Sequence, residues 1–158
     1  MRRAQARPRR LQPDFIYSDL LVTKLIGRAM KDGKKSVAQT QIYNALETVK
    51  EKTGEDPIFV FHRALDNIRP TMEVRPRRIG GAAYQVPMAV RGVRRDSLAI
   101  RWLIESSRRR SNSEFHTYGL KLAAEIIDAS KGEGMAVKKR VDMEKVAESN
   151  KAFSHFKW

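Results

Sequence analysis

The stretch EVRPRRIGGAAYQVP, residues 73 to 87, constrains the fold more than any other part of the chain. Its apolar residues alternate with polar or small ones, and this period of two predicts two strands joined by a Gly-Gly turn, at 71–79 and 82–90. Each strand contains a proline, Pro76 in the first and Pro87 in the second. Proline removes a ladder hydrogen bond and is therefore confined to sheet edges, and both strands of an isolated ribbon are edges. The sequence thus predicts a two-stranded ribbon to which no further strand is added.

Helical patterns with a period near 3.6 lie on both sides of this ribbon. Three helices are predicted before it: one capped by Ser18 or Asp19 and stopped by Asp32-Gly33, one capped by Ser36 and ended by Thr53-Gly54, and one from Asp56-Pro57 to Pro70. Three more are predicted after it, beginning near Asp96, after a cap at Ser113, and at 135. Trp102 falls on the predicted inner face of the fourth helix, and Phe115 on that of the fifth.

These patterns predict a mainly α protein, a compact bundle of about six helices with one protruding two-stranded β-ribbon between helices three and four. A length of 158 residues fits one domain with one core. The sequence has no internal repeat and no second composition regime. We therefore expect a single domain over residues 1–158, with a basic arm at 1–13 and a C-terminal tail at 151–158.

Positive charge indicates the class of partner. The chain has 32 lysines and arginines against 18 aspartates and glutamates, a formal net charge of +14, and a partner usually offsets such self-repulsion. One charge run is usually only a solvated face, but four separate cationic elements favour nucleic acid. They are the arm, a Lys-Lys turn, the ribbon and a stripe on helix four: Arg2, Arg3, Arg9 and Arg10; Lys34 and Lys35; Arg75, Arg77 and Arg78; Arg94, Arg101 and Arg108.

Residues suited to catalysis are few. The chain has no cysteine, so thiolate zinc sites and cysteine nucleophiles are excluded. His62, His116 and His155 lack metal-ligand spacing, and Gly80-Gly81 lacks the lysine of a phosphate-binding loop. We expect that the protein is not an enzyme and that it binds neither a metal nor a cofactor. We also expect a soluble, unprocessed chain, because no stretch approaches the roughly 18 apolar residues of a membrane span.

Two aromatic residues allow two interpretations. Tyr84 near the ribbon tip and Trp158 in the tail are each suited to stacking on unpaired bases. Cross-strand packing for Tyr84 and docking onto the body for Trp158 are the structural alternatives.

Five segments resemble the bacterial form of small-ribosomal-subunit protein seven. They are DGKKS at 32 to 36, the ribbon EVRPRRIGGAAYQVP, RRDSLAIRWL at 94 to 103, EIIDAS at 125 to 130 and the final KAFSHFKW. The resemblance implies a helical body with a β-ribbon. It also implies a primary binder of small-subunit ribosomal RNA that nucleates assembly of the subunit head, with its C-terminal part on another small-subunit protein.

The resemblance assigns roles to matching positions. It implies ribosomal-RNA contacts for eight of the basic residues, namely Lys34, Lys35, Arg75, Arg77, Arg78, Arg94, Arg95 and Arg101. The ribbon tip would lie at the subunit interface near exit-site transfer RNA and messenger RNA, through Ile79, Gly80, Gly81 and Tyr84. The implied location is the ribosome of the cytoplasm, and an organelle of bacterial descent fits equally.

This sequence departs from the family pattern at three places. Pro76 stands where a small hydroxyl residue is expected, which removes one backbone donor. Residues 114 to 119 differ from the usual start of helix five, and the arm matches in charge rather than in letters.

Two other functional classes stay open from the residues alone. A basic two-stranded arm tipped by glycine also suits an architectural DNA-binding protein that grips the minor groove. A nuclease that uses histidine and acidic residues is the third hypothesis, although no arrangement in the sequence supports it.

Overall fold

The computed structural model describes residues 10–156, apart from the side chains of Ile79 and Phe156. The predicted contacts of Arg2, Arg3 and Arg9 and the predicted stacking of Trp158 lie outside the described residues. Six α-helices and one two-stranded sheet follow in the predicted order, which confirms the mainly α fold. Their bounds are α1 Leu20–Ala29, α2 Lys35–Thr53, α3 Pro57–Ile68, β1 Met72–Ile79, β2 Ala82–Ala89, α4 Val93–Arg109, α5 Tyr118–Ser130 and α6 Gly134–Ser149.

Two helix starts follow the predicted caps. Asp19 precedes α1, and its carboxylate accepts hydrogen bonds from the backbone N–H groups of Leu21 and Val22. Asp56 caps α3 in the same way through Ile58, and Pro57 occupies the first helical position, where no backbone donor is lost. Both starts depend on local hydrogen bonds, which the sequence alone can predict.

Three other predicted starts are wrong. Helix α2 begins at Lys35 without a side-chain cap, so Ser36 lies inside it. Helix α4 begins at Val93, and Asp96 lies in its first turn. Helix α5 begins at Tyr118 with Thr117 as its cap. The hydroxyl of Ser113 lies instead 2.6 Å from that of Ser111, in the turn before the helix. Phe115 therefore precedes α5 instead of lying on its inner face.

The hydrophobic core contains residues from all six helices. Helix α5 is central, because α2, α3, α4 and α6 all pack against it. Trp102 is 3 % exposed, which confirms its predicted place on the inner face of α4. Among the described helices, none is long and apolar enough to cross a membrane.

The ribbon pairs antiparallel, from Met72 opposite Ala89 to Ile79 opposite Ala82. Gly80 and Gly81 form its turn with φ values of 56° and 90°, a conformation that favours glycine at both positions. The half nearer the body is packed, with Val86 fully buried, because β1 contacts α6 and β2 contacts the 3-10 helix Lys151–Phe156. No apolar spacing typical of a helix marks the tail, so the sequence did not predict this short helix.

Candidate nucleic-acid interface

The Lys-Lys turn and the end of α4 meet in one cleft. The cleft has a volume of about 430 Å³, and Lys31, Lys34 and Arg108 contribute cationic groups to it. Ala29, Val37 and Tyr118 also line the cleft, and Asp32 contributes one carboxylate. Two cationic elements that are far apart in the sequence thus form one surface.

Arg108 is held in place within this cleft. One guanidinium nitrogen donates a 2.9 Å hydrogen bond to the carbonyl oxygen of Ala29, and the guanidinium carbon lies 6.0 Å from the centre of the Tyr118 ring. Burial raises the pKa of the Tyr118 hydroxyl, so this group stays neutral at physiological pH. Arg108 makes no ion pair with any described carboxylate, and its charge faces solvent.

The predicted basic stripe continues along α4. Arg94, Arg101 and Arg108 are seven residues apart, which returns to nearly the same side of a helix and places the first about 21 Å from the last. Arg101 is exposed, and it makes no ion pair within the part of the chain that the structure describes. It therefore offers an uncompensated charge midway between the ribbon base and the cleft.

The ribbon has one face against α6 and another that carries arginines. Val74 and Pro76 line a cleft whose opposite wall is Met143 and Val146 of α6. Successive side chains of a strand point to opposite faces, so Arg75 and Arg77 lie on the face away from that cleft. Arg78 is exposed beside the turn, whereas Arg75 and Arg77 are only partly exposed. Their face of the ribbon also carries their cross-strand partners Val86, which is fully buried, and Tyr84.

Glu73 already neutralises two of the predicted RNA contacts. Its carboxylate accepts a 2.5 Å hydrogen bond from Arg75 and 2.8 Å hydrogen bonds from Arg94. Burial alone would raise the pKa of Glu73, but the hydrogen bonds from Arg94 and Arg75 outweigh it and lower that pKa below its usual value. Arg94 consequently joins the ribbon base to the start of α4.

Other hydrogen bonds fix the ribbon base. Arg95, another predicted contact, donates from Nε to the carbonyl oxygen of Pro70 at 3.2 Å. The backbone N–H and the hydroxyl of Thr71 donate to Glu144 of α6 at 3.0 and 2.7 Å. These bonds connect the ribbon to α4 and α6, so its direction is set by the body.

The ribbon tip combines exposed glycines with a packed tyrosine. Gly80 and Gly81 are exposed, while the ring of Tyr84 lies 5.3 Å from the ring of Phe153 at an interplanar angle of 53°. Tyr84 therefore packs against the 3-10 helix of the tail, whereas the predicted structural alternative was packing across the ribbon. Stacking of Tyr84 on a base stays a prediction.

Sequence reasoning missed four exposed cations near these elements, namely Arg28, Lys31, Arg91 and Arg109. Arg28 lines a cleft between α1 and α4 together with Val93 and Ser97. No local motif marks Arg28 or Lys31, because their relevance depends on the packing of α1 against α4. Arg109 was recognisable in the run of arginines at 108 to 110.

The described residues contain no group of histidines and carboxylates that could hold a metal ion. His62 contacts the Asp19 carboxylate at 2.5 Å through Nε2, which is a structural role at the start of α1. His116 and His155 are exposed and far apart in the sequence. Within residues 10–156 the geometry offers cationic surfaces and no metal-binding cluster.

Known proteins are similar to this chain over its full length. The family described as ribosomal protein S7p/S5e matches residues 1–151. The "Small ribosomal subunit protein uS7" of Paracoccus denitrificans is 53 % identical over 157 residues, and that of Roseobacter denitrificans is 54 % identical over 157 residues. In both comparisons 99 % of each chain is covered. The protein of the same name from a Sulfurihydrogenibium species is 50 % identical over 157 residues, with equal coverage.

Two independent lines of observation agree. The fold and the cationic surfaces are those expected of a structural binding protein, and the full-length relatives carry the name of one ribosomal protein. The chain therefore belongs to the ribosomal protein S7p/S5e family, whose members are structural proteins of the ribosome and not enzymes.

Proposed function

We propose that this chain, a structural protein of the small ribosomal subunit, is a primary binder of small-subunit ribosomal RNA. In this role it nucleates assembly of the subunit head, and its partners are the ribosomal RNA and other small-subunit proteins. Its place is the ribosome of the cytoplasm. The whole of residues 1–158 acts as a single RNA-binding domain.

One observation carries this proposal, namely the cleft that joins Lys34 of the turn to Arg108 of α4. Its cations converge from two elements far apart in the sequence, the turn between α1 and α2 and the end of α4, and Arg101 extends them along α4 towards the ribbon. Folded RNA presents phosphates and sugar hydroxyls on a surface of defined shape. A surface on which folded helices bring several cations together matches such a target better than a single flexible basic segment does.

The ribbon tip supports a second part of the proposal. Gly80 and Gly81 form a narrow, exposed turn with positive φ, and Arg78 lies directly beside it. We expect this tip to lie near exit-site transfer RNA and messenger RNA at the subunit interface. Packing against α6 and Phe153 fixes the direction in which the tip points.

The test is a competition titration of the purified protein against a head-domain fragment of small-subunit ribosomal RNA. Duplex DNA of equal length is the competitor, and the titration is repeated at several salt concentrations. We expect a preference for the RNA that persists as salt rises. Contacts to phosphates weaken with salt, and recognition of RNA shape adds to the affinity that these contacts supply. Equal affinities that vanish together at higher salt would reject the proposal and favour the architectural DNA-binding alternative.

A further inference from the structure

The turn at residues 14–18 is rigid. The Asp14 carboxylate accepts hydrogen bonds from the backbone N–H groups of Ile16 and Tyr17, each at 3.2 Å. Its other oxygen accepts a 2.8 Å bond from the Tyr43 hydroxyl of α2, and the Ser18 N–H donates to the Asp14 carbonyl at 2.9 Å. Asp14 itself is only 7 % exposed, so the turn is anchored to the body.

This anchored turn presents apolar side chains to solvent. Phe15 is 97 % exposed, Ile16 is 58 % exposed, and Leu20 at the start of α1 is 47 % exposed. The Phe15 ring is almost wholly outside the fold, so it adds almost nothing to stability. Aromatic residues are enriched in the buried cores of protein interfaces, and an anchored backbone lowers the entropy cost of presenting one to a partner.

Carboxylates lie on the Tyr17 side of the turn. Burial raises the pKa of the Tyr17 hydroxyl, and the nearby carboxylates of Glu47, Asp14 and Asp56 raise it further. Glu47 and Asp56 are exposed. The turn also lies at the opposite end of α1 from Lys31, about 15 Å along the ten-residue helix. It is therefore separate from the cationic cleft.

We propose that Phe15, Ile16 and Leu20 form a docking surface for another protein, whose apolar pocket is bordered by lysine or arginine side chains. The carboxylates of Glu47 and Asp56 would pair with that border and would repel the phosphates of RNA. Ile16 and Leu20 have no flat ring on which a base could stack, which also favours a protein. This docking surface is additional to the proposed RNA-binding function. It relies on family membership for one point only, namely that the partner is sought in the small ribosomal subunit.

The partner can be identified with a photo-cross-linking amino acid, p-benzoylphenylalanine, at position 15 of the full chain in assembled small subunits. The matched control carries p-benzoylphenylalanine at position 93. Val93 is also exposed, at 72 %, but it lines the second cleft, the one between α1 and α4 that contains Arg28. We expect position 15 to cross-link to a protein segment that contains basic residues. Cross-links to ribosomal RNA alone, or no cross-link at position 15, would overturn the proposal.

The identified protein is then titrated with the purified wild type, with Phe15→Ser and with Val93→Ser. Phe15→Ser should weaken binding by roughly tenfold or more, while Val93→Ser should change it by less than about twofold. Both variants should unfold at the wild-type urea concentration, because each removes a mainly exposed side chain. Equal affinity of Phe15→Ser and the wild type would overturn the proposal even where ribosomal-RNA binding is intact.

Discussion

Glu73 is the residue that controls the charge at the ribbon base, because its buried carboxylate binds both Arg75 and Arg94. Its pKa is lowered in the folded chain. A carboxyl group of this kind stabilises the fold above its unfolded pKa of about 4.3, and the stabilisation is lost as pH falls through the lower, folded value. The ribbon base should therefore weaken in acid.

We predict that Glu73→Gln lowers the free energy of unfolding at pH 7 by about 1 kcal/mol. The expected loss is small because the side chains of Arg75 and Arg94 are 42 % and 51 % exposed, which screens the ion pairs. The difference between variant and wild type should shrink as the pH falls below about 4. Urea unfolding at pH 7 and pH 3 measures both quantities.

Glu51→Gln is the control for this prediction, because Glu51 is exposed and has no ion pair among the described residues. It should leave the stability and its pH dependence almost unchanged. A wild-type stability that falls with acid no more steeply than that of Glu73→Gln would contradict the prediction. The sequence could not reveal this contact, because it requires the ribbon to be directed towards the start of α4.

Substitutions at Trp102 and at its neighbour Arg101 should affect different properties, folding stability and RNA binding. Trp102→Ala should lower the free energy of unfolding by about 3 to 5 kcal/mol, because the removed ring leaves a cavity in the core. Arg101→Ala should change stability by less than about 0.5 kcal/mol but should weaken RNA binding. Urea unfolding and RNA titration of both variants measure the two effects. A small stability loss with lost RNA binding in Trp102→Ala would place this residue at the interface instead.

Among the elements, helix α5 shows where sequence reasoning succeeds and where it ends. Leu122, Ala123 and Ile126 recur at the spacing typical of an inner helix face, and all three are buried, while Ile127 beside them is partly buried. The predicted start of α5 was wrong because serine and threonine are both residue types that can cap a helix, and the sequence offers Ser113 and Thr117. Gly119 settles the choice, since its N–H donates to Gln41 of α2 at 3.0 Å and a side chain there would meet the Gln41 backbone at 3.0 Å. Such a contact between helices is not encoded in local spacing.

The two candidate caps of α5 give a direct test. The Thr117 hydroxyl accepts a hydrogen bond from the Leu120 N–H at 3.3 Å, so Thr117→Ala should lower the free energy of unfolding by about 1 kcal/mol. Ser113→Ala removes the hydroxyl that the sequence predicted as the cap. It should lower the free energy of unfolding by clearly less than Thr117→Ala does. Urea unfolding of both variants measures this. A larger loss for Ser113→Ala would mean that the helix begins earlier in solution.

For the whole molecule, the packing of α1, α2 and α4 turns dispersed charges into a surface. The sequence identified Lys34, Arg101 and Arg108 as members of cationic elements, because clustered basic residues are visible in composition. It could not show that Lys34 and Arg108 share a cleft with Lys31, since this depends on how three helices cross. It also overestimated the free charge at the ribbon base, where Glu73 binds Arg75 of the ribbon and Arg94 of α4.

We predict that the position of charge, and not only its total, determines RNA binding. Removing Lys34, Lys35 and Arg101 together as alanines should reduce the slope of log affinity against log salt by roughly 0.7 to 0.9 for each lost phosphate contact. These three side chains are exposed and form no ion pair with the described carboxylates. Arg108 is left in place, because its hydrogen bond to Ala29 also supports the fold.

The matched control removes Lys50, Lys52 and Lys145, three exposed cations outside the cleft. Both triple variants lower the net charge equally, so any long-range electrostatic effect on RNA affinity is shared. Titration of each variant with the ribosomal-RNA fragment at several salt concentrations gives the slopes. The control should keep nearly the wild-type slope because its lysines are away from the proposed contact surface. Equal reductions in both variants would mean that RNA responds to total charge alone, and the arrangement of α1, α2 and α4 would then have no part in recognition.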